Sequence, residues 1–266
     1  MPSAETVFDA LAATSDAVAS LADRVPDWTQ DTPAAGWTVG HQVAHLTWTD
    51  EVSILAATDS AAFDRLLQSA AGDPLGFVDK GAQKVLDEAG DALPTRWRSG
   101  RETLLAALRA ADPGTPLPWF GPPMRPHTMA TARVMETWAH GQDIAAAAAG
   151  TLDVPDALPL VARIGYKTRD FAYMVNGQTA PGEPFDVVLT APDGSEVAFG
   201  PGDAGQRVTG SLLDFCLLVT QRIHRNDTDL VATGGDAAHW LTIAQCFAGP
   251  PGAGRPAEKT PTGKES

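Results

Sequence analysis

Two distant segments of this chain hold side chains that can share one metal ion. The first reads Gly36-Trp37-Thr38-Val39-Gly40-His41-Gln42-Val43-Ala44-His45-Leu46, the second Arg133-Val134-Met135-Glu136-Thr137-Trp138-Ala139-His140-Gly141-Gln142-Asp143-Ile144. Glu136 and His140 stand four residues apart, so on a helix both side chains leave one face. A carboxylate oxygen and an imidazole nitrogen then converge, and one further histidine completes a three-ligand site. Three protein ligands with an open position are the pattern of a catalytic divalent ion; structural sites are closed. His45, among Val43, Ala44 and Leu46, is a candidate third ligand, although a lone histidine on an apolar helix is also compatible with an ordinary core residue. His41 precedes it by one turn and can share its face. Glu136 lies beside Val134, Met135 and Trp138, where an unpaired buried carboxylate is expensive. A cation relieves that cost, and so does an arginine such as Arg133. Asp143, three residues past His140, can accept the ring N–H of a ligating histidine or make a plain helix-end hydrogen bond.

Helices must position these groups. Ala4 to about Val25 has helical apolar spacing with Ser3 as a cap, and Pro26 ends it. Thr38 opens a second helix to about Asp59. Asp73-Pro74 breaks a short third one. Phe77 to about Ala111 holds one or two more, with Pro94 as a break or a first-turn proline. Asp112 to Pro126 is a Pro- and Gly-rich loop, and its Trp119-Phe120-Gly121-Pro122-Pro123-Met124 run can form an apolar lid. His127 to Ala149 forms the helix of Glu136 and His140, with Gly150 suited to its C-cap. Trp48, Trp119, Phe120 and Trp138 are candidate pocket walls or plain core. After Gly150 the pattern changes. Asp153 to about Val175 is helical. Val187-Val188-Leu189, Val197-Ala198-Phe199 and Val208-Thr209 read as short strands. Ser211 caps an apolar helix to about His224, a short segment covers Asp229 to Gly234, and Ala237 to Phe247 is a last helix. The expectation is an α+β protein: a helical domain over 1–150, a small α+β domain over 151–248, and a disordered tail over 249–266.

At 266 residues and 44% hydrophobic content the chain can build a real core. Its net charge of -14 argues against nucleic acid, which needs clustered Lys and Arg, and against an anionic membrane surface. Cys216 and Cys246 sit in apolar runs and read as buried free thiols rather than a disulfide framework. The N-terminus lacks a secretory pattern and no apolar run reaches membrane length, so a cytoplasmic protein is expected. A monomer and a homodimer fit equally well. No dinucleotide fingerprint, P-loop or Gly-x-Ser-x-Gly elbow is present.

Trp37-Thr38-Val39 with His45-Leu46, then Glu136-Thr137-Trp138-Ala139-His140-Gly141-Gln142-Asp143-Ile144, resembles the DinB-like superfamily, and within it the mycothiol-dependent maleylpyruvate isomerase group. The resemblance spans almost the whole chain. It implies an N-terminal four-helix bundle carrying a divalent metal, usually zinc, and a smaller C-terminal α/β domain similar to sterol carrier proteins. It implies His45, Glu136 and His140 as metal ligands, while His41 is an addition to a motif that needs one histidine. It implies a low-molecular-weight thiol such as mycothiol as cosubstrate, used for isomerisation or S-transfer on a small organic molecule. It also places a functional arginine in the second domain. Arg222 and Arg225, at the end of the apolar helix, are the candidates; each can hold a substrate carboxylate or cap the helix. Two alternatives stay open: metal-assisted hydrolysis or related chemistry, and a non-catalytic metal- or ligand-binding protein.

Overall fold

Ser3 starts the first helix by accepting a hydrogen bond from the Thr6 amide, one of the donors a helix start leaves unpaired. From there the computed structural model describes residues 3–73, 76–252 and 254–258, and the chain divides into two units, Met1–Ala157 and Leu158–Ser266.

The first unit is helical: α1 (Ala4–Ala22), α2 (Val39–Thr58), α3 (Ser60–Ala70), α4 (Phe77–Ala89), α5 (Leu93–Ala110) and α6 (Pro126–Ala147). The bundle consists of α1, α2, α5 and α6, with α1 against α6, α2 against α5 and α6, and α4 laid over α2. Central α2 is buried on nearly every side, which explains its lack of a clean polar face. Its buried hydroxyls are satisfied one turn back: Thr47 donates to Val43 O, Thr49 to His45 O and Ser53 to Thr49 O. The expected break at Asp73-Pro74 falls partly on Pro74, outside the described residues.

Helix α6 comes so close to α1 at Gly141 that a Cβ there would overlap Val18 Cγ2. Its C-terminus differs from the sequence expectation. Gly150 N donates to Ala145 O at 2.8 Å and Ala149 N to Ala146 O at 3.2 Å, a Schellman pattern whose left-handed residue is Ala149, φ 47°. Gly150 serves packing instead, because a Cβ would meet Arg24 Nη1 at 2.9 Å and Leu21 Cδ2 at 3.0 Å. A 3-10 turn, Pro155–Ala157, then packs on α1 and α6, so the first unit continues past Gly150 to Ala157.

The second unit opens with α7 (Leu158–Lys167) and α8 (Arg169–Val175), followed by β1 (Phe185–Thr190), β2 (Glu196–Phe199), β3 (Gln206–Ser211), α9 (Leu212–Val219), β4 (Val231–Thr233) and α10 (Gly235–Ile243). Among the described residues the sheet has the order β2-β1-β3-β4, with β1 and β3 parallel and both outer pairs antiparallel. Phe185, Val187, Leu189, Val208, Phe215 and Trp240 form its core. Helix α9 stops at Val219, five residues before the expected His224. Gln221 turns left-handed at φ 60°, Arg222 N donates to Leu217 O and Gln221 N to Leu218 O, a second Schellman turn on a non-glycine residue. Cys216 and Cys246 are buried free thiols. Of the tail expected to be disordered over 249–266, residues 253 and 259–266 lie outside the described residues. In the rest, the Glu258 amide donates to Asp227 Oδ2 at 2.9 Å. Among the described residues no helix is long and apolar enough to cross a membrane.

Candidate metal centre

Residues 26–38 fold back over the start of α2 and satisfy it. Val39 N donates to Gln30 O at 3.0 Å and Gly40 N to Trp28 O at 2.8 Å. Gln30 Nε2 reaches Ala147 O at the end of α6, tying this segment to both helices. Thr38 is the N-cap, and His41 fills the position usually taken by Glu or Gln in a capping box, its Nδ1 accepting from Thr38 N at 3.2 Å. That settles the extra histidine: its Nδ1 caps a helix.

The three expected ligands converge. His45 comes from α2, Glu136 and His140 from α6, and one ligand atom from each lies within 4.8 Å of the others. His45 Nε2 is 3.3 Å from Glu136 Oε2, and His140 Nε2 is 3.4 Å from the same oxygen. As charge-assisted hydrogen bonds these are long, against about 2.7–2.9 Å. As neighbouring ligands they fit: metal–ligand bonds of about 2.0–2.1 Å give a tetrahedral edge of about 3.3–3.4 Å. The donor set of two imidazoles and one carboxylate also suits zinc. Burial pushes the Glu136 carboxyl up, but the His140 and His45 imidazoles outweigh it and hold the group well below the usual carboxylate range. Glu136 keeps 23% of its side chain exposed.

Arg133, the alternative partner for Glu136, is engaged elsewhere. Its Nε donates to Asp50 Oδ1 at 2.9 Å, with both side chains buried.

Gln42 is a functional candidate that sequence reasoning passed over. It is fully buried one turn before His45, and its Oε1 takes the hydrogen bond of His140 Nδ1. The amide orientation follows from its other end. The Thr32 hydroxyl donates to Trp37 O at 2.7 Å, so its oxygen accepts from Gln42 Nε2 at 2.9 Å, which turns Oε1 toward the imidazole. An amide oxygen only accepts, so the hydrogen bond places a proton on His140 Nδ1, and a neutral ring held this way would coordinate a metal through Nε2. The relay Trp37–Thr32–Gln42–His140 thus fixes one ligand's tautomer. His45 Nδ1, by contrast, is buried without a partner among the described residues.

The aromatic face beside the centre belongs to Trp37. Trp37 stands 5.5 Å edge-on from His45 and 5.8 Å stacked on His140, centroid to centroid. Trp48, Trp119 and Phe120 instead cluster with Phe63 and Phe77. The loop of Trp119 and Phe120 is pinned at its base by Leu117–Met124 backbone pairing. Trp138 is a core residue, 1% exposed.

Arg222 and Arg225 lie beyond the end of α9, not on it. Arg222 sits in the turn after Gln221, its Nη1 donating to Thr220 O, and Arg225 begins a 3-10 turn, Arg225–Asp227. Arg225 Nη1 donates to Thr228 Oγ1 at 2.8 Å and Nη2 to Leu230 O at 2.7 Å. Both therefore hold the turn between α9 and β4 together.

Known proteins share this fold. A crystal structure of the mycothiol-dependent maleylpyruvate isomerase superposes with a TM-score of 0.58 at 17% identity, covering 87% of this chain and 93% of that one. A crystal structure of a mutant of that enzyme gives 0.56 at 16% identity over the same shares. At such identities the likeness establishes the fold. A protein of Mycobacterium tuberculosis (strain ATCC 25618 / H37Rv), named Uncharacterized protein Rv0036c, is 49% identical over 247 residues, 92% of this chain and 96% of that one. The family model described as the mycothiol maleylpyruvate isomerase N-terminal domain matches residues 7–145, more than half of the chain and the stretch that contains His45, Glu136 and His140. The chain belongs to the mycothiol maleylpyruvate isomerase N-terminal domain family, within the DinB-like fold.

Proposed function

We propose that this protein is a divalent-metal-dependent enzyme that uses a low-molecular-weight thiol, mycothiol by family, for isomerisation or S-transfer on a small organic substrate. The observation that carries the reading is the convergence of His45, Glu136 and His140 at the spacing of tetrahedral ligands. Those three side chains would hold the ion. When bound, the ion supplies a Lewis acid that favours the thiolate form of a thiol near neutral pH. The chain's residues prepare that site. Glu136 stays ionised across neutral pH and offers one negative charge. Gln42 holds a proton on His140 Nδ1, so the neutral ring would offer Nε2 to the ion. Trp37 closes one side with an aromatic face, while the exposed side of Glu136 leaves an approach. Arg222 and Arg225 are retained as candidate holders of a substrate carboxylate, a role that Arg→Lys kinetics would reveal as a raised KM.

Metal content by plasma mass spectrometry tests the reading, on untagged wild type and on His45→Ala and Glu136→Ala. About one equivalent of zinc, lost in both variants, is the expected result. Turnover of maleylpyruvate that requires mycothiol then identifies the reaction. Turnover without thiol would favour hydrolytic chemistry, and a wild type that takes up no metal after reconstitution would overturn the site.

A further inference from the structure

Arg133 and Glu136 stand three residues apart on α6, a spacing at which an arginine and a glutamate on one helix face can pair. Of the positions three and four residues to either side of Arg133 (Met129, Ala130, Glu136 and Thr137), Glu136 alone is acidic. Yet Glu136 faces the two imidazoles, and Arg133 faces Asp50. Asp50 lies on α2, five residues past His45, and the Asp50 and Arg133 side chains are 4% and 2% exposed. The adjacent carboxylate on α2, Glu51, is engaged by Arg96 at 2.7 Å. Among the described residues Arg133 Nη2 is buried without a partner, so this guanidinium has a donor left for a carboxylate that comes within reach.

We propose that Asp50 is a positioning residue that acts by competition: it holds the Arg133 guanidinium and thereby keeps Glu136 free to serve as a metal ligand. The inference rests on the metal-centre reading above. It separates from a simple structural brace by an asymmetry. If the pair only clamped α2 to α6, losing either partner would harm the site alike. If Asp50 withholds Arg133 from Glu136, removing Asp50 releases a buried guanidinium that neutralises the ligand, whereas removing Arg133 leaves Glu136 untouched.

Zinc affinity, measured by chelator competition on Asp50→Asn, Arg133→Met and the double variant, tests this, with circular dichroism to establish folding. The Kd for zinc should rise about tenfold or more in Asp50→Asn. It should stay within about threefold of wild type in Arg133→Met and return to that range in the double variant. Equal losses in the two single variants would overturn the proposal in favour of a brace, and so would a folded Asp50→Asn that binds zinc normally. Where Asp50→Asn does not fold, the double variant decides: folded with near wild-type affinity it supports the competition, folded without zinc it overturns it. A wild type that takes up no zinc fails earlier, and that failure belongs to the metal-centre reading.

Discussion

Replacing Gln42 by leucine removes the acceptor of the His140 Nδ1 hydrogen bond while keeping about the same volume at a fully buried position. The loaded state then holds an imidazole N–H without a partner beside apolar atoms. An unsatisfied donor of that kind costs about 1–3 kcal/mol. At about 1.4 kcal/mol per tenfold, zinc affinity should fall about 5- to 150-fold, which brackets the 10–100-fold usual when a group behind a metal ligand is lost. Two companion changes sharpen the test. Gln42→Glu offers a stronger acceptor and should keep or raise affinity. Thr32→Val removes the hydroxyl that orients the Gln42 amide, lets the NH2 end turn toward His140, and should give a smaller loss than Gln42→Leu. Chelator competition on folded protein reads all three. A Gln42→Leu protein that binds zinc within about twofold of wild type would refute the assigned tautomer and the relay behind it.

Three further outcomes follow from the fold. Ala149→Gly places glycine at the left-handed position after α6 and should stabilise the protein by about 0.5–1 kcal/mol, raising Tm; an unchanged or lower Tm would contradict the strained Schellman turn. Gly141→Ala drives a Cβ into Val18 and should cost about 1–3 kcal/mol in denaturant unfolding, so an unshifted midpoint would refute the close approach of α1 and α6. Burial raises the Asp186 carboxyl, but the Gly202 and Ala204 amides and Arg207 outweigh it and hold the group below its usual range. A depressed carboxyl stabilises the fold above the unfolded value of about 3.9 and loses that contribution as pH falls through the folded value. The midpoint gap between wild type and Asp186→Asn should therefore be constant at neutral pH and close in acid, and a gap that persists in acid would count against it.

The helices of the first unit could be read from the sequence because their signals are local: Ser3 and Thr38 as caps and an i, i+4 pair on one face, although α1 ends at Ala22, three residues short of the Val25 expected from Pro26. Helix ends in the second unit were less legible. Gln221 takes a left-handed conformation with no glycine to mark it, so the apolar run after Ser211 gives no sign that the helix stops at Val219, and Arg222 and Arg225 were placed on a helix that had ended. The same blindness applies at Ala149, where a neighbouring glycine drew the cap one residue too far. Non-glycine left-handed turns are set by the packing around them, and periodicity carries no trace of that.

The metal centre divides along the same line. Glu136 and His140 form a pattern within one helix, so their joint direction follows from 3.6 residues per turn. What surrounds them does not. Whether a buried glutamate neutralises itself against an arginine or against imidazoles depends on which helix lies opposite, and α2 answers with Asp50 for Arg133 and His45 for Glu136. Gln42 is invisible for a related reason: a glutamine on a buried face is costly in isolation, and its purpose emerges only when α6 brings His140 to its oxygen and the 26–38 segment brings Thr32 to its nitrogen. Gln42, Arg133 and Glu136 are thus each explained by a partner from another element. That is why the ligands, and not the groups that tune them, carry the recognisable motif.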